Sequence, residues 1–267
     1  MMSSPTDTPD ELLVQEQDGI LLLTLNRPSA RNAATLRIAQ LMAAAIDEFE
    51  ARDDLSVAVV TGAGSTFCSG MDLKGFLRGE KPRVEGRGFA GITERPPVKP
   101  IIAAVEGYAL AGGFELALAC DLIVASRDAL FGLPEVKRGL VASAGGLVRL
   151  PRQLPQRIAL ELAMTGEMVS AARLYECGLL NRLVPAGESL TTALELARSI
   201  AANAPLAVAT SKAVILQSGE WPAAEMFERQ RRLTDPVFAS PDAREGAAAF
   251  AEKRKPVWKS QVSGIVQ

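Results

Sequence analysis

Two glutamates, Glu115 in Ala-Gly-Gly-Phe-Glu-Leu (111–116) and Glu135 in Phe-Gly-Leu-Pro-Glu-Val (131–136), stand in apolar, glycine-bearing stretches of a chain that has no histidine. Burying a carboxylate is costly unless it is paired or takes up a proton, so an acid in such surroundings often has a shifted pKa and a function. The usual acid/base side chain at neutral pH is missing, and a carboxyl with a raised pKa is its natural substitute. Singly, each glutamate has a plainer explanation as a helix cap or an ion-pair partner, Glu135 with Arg138 for instance. Together they point to acid/base chemistry on two carboxyls, whose titration belongs to the pair.

Two turns lead into this chemistry. The run Phe67-Cys68-Ser69-Gly70-Met71-Asp72-Leu73-Lys74 has the small residues of a helix start, and so does the run from Gly107 to Leu116 with Gly112 and Gly113. A helix start exposes unpaired N–H groups that can hold an anion or an oxyanion, and two such turns can supply converging donors. The Gly-x-Gly at Gly62-Ala63-Gly64 is read as a turn after a strand. Phe67 occupies the position of the third glycine of a dinucleotide fingerprint, and the chain has no Gly-Lys-Ser/Thr phosphate loop.

The elements that must carry these turns alternate. Residues 20–25, 56–61, 101–105 and 122–125 read as strands, and Ile38, Leu41, Met42, Ala45 and Phe49 recur at helical spacing. Strands separated by helices predict an α/β fold with crossover connections. Residues 74–100, rich in charge, glycine and proline, are expected to form a mobile surface loop. Beyond Pro151 the pattern is helical, at 158–164, 190–202, 207–216 and 223–233. We expect a loose tail over 1–10, a core with the site over 11–200, and a helical assembly region over 201–267.

Composition excludes several classes. With 267 residues, 48% hydrophobic, and a net charge of −2, the chain has material for a core and no general field for nucleic acid. The polar N-terminus lacks a signal-peptide pattern and no apolar stretch has the length of a membrane span, so a cytoplasmic location is expected. Cys68, Cys120 and Cys177 read as reduced small hydrophobes, since a cysteine nucleophile would lack a histidine base.

Over essentially its whole length the chain resembles the enoyl-CoA hydratase/isomerase, or crotonase, superfamily. The matching landmarks are Leu25-Asn26-Arg27-Pro28, the runs from Phe67 to Lys74 and from Gly107 to Asp121, Phe131 to Glu135, Ala144-Gly145-Gly146 with Arg149-Leu150, and Phe250 to Pro256. The resemblance implies a spiral of ββα repeats with a C-terminal helical region that builds a homotrimer, commonly paired into a hexamer. It implies an acyl-CoA thioester as substrate, with no separate cofactor and no metal. The backbone N–H groups of Met71 and Gly112 would form an oxyanion hole. Glu115 and Glu135 fall on the carboxylate positions of the hydratases, the first serving water and the second a proton. Coenzyme A would lie against Ala30, Arg31, Ser69, Met71 and Leu73, while Phe250 and Lys253 would reach a neighbouring subunit's coenzyme A.

The chain departs from the usual hydratase pattern at Leu133 and Ser143, which bear on water and acyl positioning. The leading expectation is hydration of a trans-2-enoyl-CoA to 3-hydroxyacyl-CoA. The alternatives are double-bond isomerisation, for which one carboxyl suffices, or dehydration of a polar, carnitinyl-type thioester. RNA binding, known among relatives, would need a basic face, yet the helix after Asn32 carries Arg37 and then Asp47, Glu48 and Glu50. A role confined to assembly fits poorly with two retained glutamates.

Overall fold

The computed structural model describes residues 10–260 and 262. Residues 1–9 of the expected tail lie outside that range. In chain order the elements are β1 (Leu12–Gln17), β2 (Ile20–Leu25), α1 (Leu36–Ala51), β3 (Val57–Gly62), α2 (Leu73–Leu77), β4 (Arg83–Val84), β5 (Gly88–Phe89) and β6 (Ile101–Val105). There follow β7 (Tyr108–Leu110), α3 (Gly112–Ala119), β8 (Leu122–Ser126), β9 (Leu130–Gly132), α4 (Gly146–Gln153), α5 (Gln156–Thr165), β10 (Val169–Ser170), α6 (Ala171–Glu176) and β11 (Arg182–Val184). Four helices end the chain: α7 (Ser189–Ala201), α8 (Pro205–Ser218), α9 (Met226–Phe238) and α10 (Pro241–Glu252).

One sheet runs β1-β2-β3-β6-β8-β11. The β1–β2 hairpin is antiparallel, and every later pairing in this sheet is parallel. Parallel strands are covered on both faces and therefore need unbroken apolar runs. Val57-Ala58-Val59-Val60 and Ile101-Ile102-Ala103-Ala104-Val105 supply them, with every one of those residues buried. One face packs on α1, whose Ile38, Met42, Ile46 and Phe49 form its apolar stripe and whose N-cap Thr35 accepts the N–H of Ile38. The other face packs on α7 through Ala193 and Ala197.

A second, shorter ladder positions the site. Cys68 bridges Ala109, β7 pairs in parallel with β9, and β9 pairs with β10. Each turn of the spiral thus crosses the large sheet, turns into the short ladder, and leaves by a helix or a helical turn. Gly107 shows how tight the crossing is: φ is +59°, and a Cβ there would lie 2.0 Å from the Ser65 carbonyl oxygen. Gly62, in the Gly-x-Gly, serves the same end, since a Cβ would lie 2.2 Å from the Thr66 carbonyl.

Residues 74–100 depart from the expected surface loop. The segment contains most of α2 and the β4–β5 pair, and Ala90, Ile92, Thr93 and Lys99 are buried. Its fold depends on long-range partners: Gly91 sits against the backbone of Ala39 and Ala43 in α1, and Arg87 pairs with Asp47. Such contacts leave no local pattern in the sequence. The helix expected at 223–233 begins later and runs through Pro236 to Phe238. Between α7 and α10, Ile215, Leu216, Phe227, Phe238 and Phe250 are exposed.

Candidate active site

The two turns singled out above touch. Gly70, with φ +99°, has no room for a Cβ, which would lie 2.8 Å from the Ala111 Cβ and 3.3 Å from the Gly112 nitrogen. Met71 bridges Ala34 in a parallel register in which the Ala34 N–H donates to Gly70 and the Asp72 N–H donates to Ala34. The Met71 N–H is thereby turned away from that bridge. Gly112 opens α3, so its N–H has no helical acceptor. Among the described residues neither N–H has a hydrogen-bond partner, and both residues line one cavity of about 780 Å³.

Ala111, immediately before Gly112, is strained. Its φ of 52° and ψ of −128° lie in territory that a residue with a Cβ rarely enters. Its N–H donates to the Gly132 carbonyl at 2.9 Å, and its own carbonyl accepts the N–H groups of Phe114 and Glu115. The long-range bond to β9 holds the turn that aims the Gly112 N–H into the cavity.

Glu115 stands one turn into α3 and is 3% exposed. Its Oε1 accepts the N–H of Ala144 at 2.7 Å and that of Gly146 at 2.8 Å. These amides form the N-terminus of α4, where Gly145 takes φ +109°, and a carboxylate there is favoured by the helix dipole. Burial pushes the Glu115 carboxyl up, while the two N–H donors and the charge of Arg149 pull it back.

Glu135 sits in the 3-10 turn Pro134–Arg138 and faces the same cavity. Its Oε2 is buried with no hydrogen-bond partner among the described residues. The plainer reading as an ion pair with Arg138 is not what the side chains do: Arg138 donates to the Pro134 carbonyl at 3.2 Å. Burial, and to a lesser degree the charge of Glu115, push the Glu135 carboxyl up to about 7. One carboxyl is therefore cradled by donors and the other is left poised to keep a proton. Such a split is the arrangement by which two groups of one residue type can divide acid and base duty.

Ala30, Arg31, Ser69, Met71 and Leu73 line the cavity together with Ser143. Leu133 does not: it is 1% exposed and packs in the main core behind the wall. Phe250 and Lys253 lie at the end of α10, outside the cavity lining, with Phe250 87% exposed. Several residues escaped the sequence reading. Ala144 and Gly146 carried a usable signal, since Ala-Gly-Gly before a helix is an anion-holding start. Phe89 carried none. Its ring occupies the position where a Cβ on Gly112 would fall, 2.4 Å from Cζ, and it lines the cavity from the segment read as a loop. Arg31, Lys74 and Lys81 line the cavity without an acidic partner among the described residues, while Arg27 pairs with Asp72 at 2.9 Å and Arg83 with Glu94 at 2.9 Å.

The chain is similar to known proteins over most of its length. Residues 15–261 match the family described as enoyl-CoA hydratase/isomerase. An enoyl-CoA hydratase structure from Mycobacterium tuberculosis is 55% identical, with a TM-score of 0.92 over 94% of this chain and 99% of that one. A carnitinyl-CoA dehydratase of Salmonella enteritidis is 44% identical over 250 residues, 91% of this chain and 95% of the relative. A carnitinyl-CoA hydratase structure from Mycobacterium avium is also 44% identical, with a TM-score of 0.75 over 94% of this chain and 99% of that one.

Proposed function

Because this chain belongs to the enoyl-CoA hydratase/isomerase family and has its crotonase fold, we propose that it adds water reversibly across the double bond of a trans-2-enoyl-CoA thioester. The family implies an acyl-CoA substrate and a hydratase or dehydratase chemistry. The observation that carries the finer reading is the unequal pair: Glu115 bonded to two backbone amides, and Glu135 with an unpartnered oxygen, on one cavity.

In the hydration direction Glu115, ionised, takes a proton from water as the hydroxyl oxygen bonds to the β carbon. Electron density moves to the thioester oxygen, where the N–H groups of Met71 and Gly112 stabilise the enolate. Losing one such donor costs a factor of about 100 to 1,000. Glu135 then gives its proton to the α carbon. The active pair holds one proton at the start and one at the end, on Glu135 before and on Glu115 after. Dehydration runs from the second arrangement to the first. The basic residues Arg31, Lys74 and Lys81 of the lining are assigned to the coenzyme A phosphates, with the adenine against Ser69, Met71 and Leu73.

A second reading, dehydration of a polar carnitinyl-type thioester, is supported by the two relatives whose names carry that activity. Isomerisation would need only one carboxyl, and the cradle built for Glu115 argues against it. Purified protein offered short, long and branched enoyl-CoA thioesters, crotonobetainyl-CoA and a 3-enoyl-CoA separates the three. Hydration of the neutral 2-enoyl series with the highest kcat/KM supports the first reading, and a preference for the quaternary-ammonium acyl group sinks it in favour of the second.

The exposed Ile215, Phe227, Phe238 and Phe250 support assembly through the C-terminal helices into a trimer or a pair of trimers. In that assembly Phe250 and Lys253 are assigned to a neighbour's coenzyme A. Light scattering on the purified protein checks the subunit count.

A further inference from the structure

Arg149 is the half-buried charge that the mechanism above leaves unused. It lies within α4, and helical side chains lean toward the N-terminus of their helix, which brings its guanidinium back over Gly145. A Cβ on Gly145 would fall 2.1 Å from Arg149 Nη1, so the end of the guanidinium lies directly against the Gly145 turn. Nη2 donates to the Thr93 carbonyl at 2.5 Å. The Thr93 N–H in turn donates to the Phe89 carbonyl at 3.2 Å, and the Phe89 ring lies on Gly112. On its other side Arg149 backs the 144–146 turn whose amides hold Glu115.

We propose that Arg149 is a positioning residue that joins the two halves of the site, fixing the Glu115 cradle through the Gly145 turn and the Phe89 wall over Gly112 through the Thr93 carbonyl. The inference rests on the hydratase reading for its kinetic consequences. Its electrostatic consequence stands apart: the guanidinium favours the ionised form of Glu115, which is the form that accepts the water proton. The charged and titratable groups around Glu115 are Arg149 from α4 and Glu135 from the 3-10 turn. β7, which also packs on α3, contributes Tyr108, whose ring faces Arg31 at 5.7 Å. Burial lowers the pKa of Arg149 itself, the charge of Glu115 raises it and that of Arg152 lowers it.

The test compares Arg149→Met and Arg149→Lys in the full chain, with carbon-13 NMR titration of labelled glutamate carboxyls, the Glu115 signal being assigned by its loss in Glu115→Gln. In Arg149→Met the Glu115 titration moves up. The acid limb of the kcat/KM profile on crotonyl-CoA follows it, and kcat falls roughly 10- to 100-fold, the scale for losing an outer-shell partner. Arg149→Lys keeps the titration near that of the parent but not the full kcat, because an ammonium lacks the fork that spans Gly145 and Thr93. An unmoved Glu115 titration in Arg149→Met overturns the proposal whether or not crotonyl-CoA is turned over. A parent protein that leaves every enoyl-CoA untouched, yet shows the shift, overturns the hydratase reading alone. Should Arg149→Met not fold, Arg149→Gln carries the same comparison.

Discussion

Asp121 and Glu135 are both half-buried carboxyls whose pKa is pushed up by desolvation, and they have opposite surroundings. Asp121 Oδ2 accepts the Ile101 N–H at 2.8 Å and the Lys212 ammonium at 2.6 Å, and Lys212 also donates to the carbonyls of Pro97 and Lys99. This clamp fastens α8 to the N-terminal ends of the neighbouring inner strands β6 and β8. Glu135 has a buried oxygen with no partner among the described residues. Burial of an acid is therefore not what marks the site. What separates them is the partner: Asp121 is tied to a lysine and to the backbone of the sheet, whereas Glu135 keeps an oxygen open to the cavity.

The contrast breaks first if the wrong acid controls turnover. Glu115→Gln and Glu135→Gln should each lower kcat by roughly 100- to 10,000-fold, the range for general acid/base groups, with circular dichroism unchanged. Asp121→Asn should leave the turnover of the folded fraction near that of the parent. An equal loss in Asp121→Asn would remove the distinction.

Stability should divide the other way. Lys212→Met leaves Asp121 buried without its counter-ion and should cost about 3 kcal/mol in urea denaturation. The surviving folded molecules should keep the parent's KM for an enoyl-CoA.

The pH profile sharpens the comparison further. Below about 7 Glu135 holds its proton, so hydration should fall as pH rises through that value and the pair loses the proton it must deliver. Stopped assays of kcat/KM from pH 5 to pH 9 read this limb, and Asp121→Asn should not move it.

The smallest expected effect concerns stability at the site itself. Glu135 is raised from 4.5 in the unfolded chain to about 7 in the folded one, so the fold binds its proton more tightly. Its contribution to folding is greatest below 4.5 and is lost as pH rises through 7. Replacing it by glutamine should raise stability at pH 8 by about 1 kcal/mol, after allowing for solvent screening, and should change little at pH 4. Calorimetry at the two pH values checks the sign.

How much of this was legible in the sequence follows from how local each feature is. The buried strands 57–62 and 101–105 and the stripe of α1 are written in consecutive or i, i+4 residues, and they were read within a residue or two. The short strands β7, β9 and β10 were not, since two or three residues show no period and are fixed only by stacking on earlier turns. The two carboxyls and the two glycine turns were visible as residue types out of place. Arg149, Thr93 and Phe89 were silent as site residues because the contacts that tie them to the site span 23 residues from Phe89 to Gly112 and 56 from Thr93 to Arg149. The segment from 74 to 100 was misread for the same reason: its charge and glycine content describe its surface, while Gly91 and Arg87 answer to α1.

The strained backbone at Ala111 has a consequence for the order in which the molecule can be made. The turn before Gly112 is held by the bond from the Ala111 N–H to Gly132, a residue 21 positions further along the chain. A strained φ persists only while its surroundings over-determine it. Until β9 has docked beside β7, the chain through α3 contains every residue of that turn without its shape. The amide that would meet the substrate is therefore set only after a later strand has docked, and a nascent chain stopped short of Gly132 should relax Ala111 into ordinary backbone.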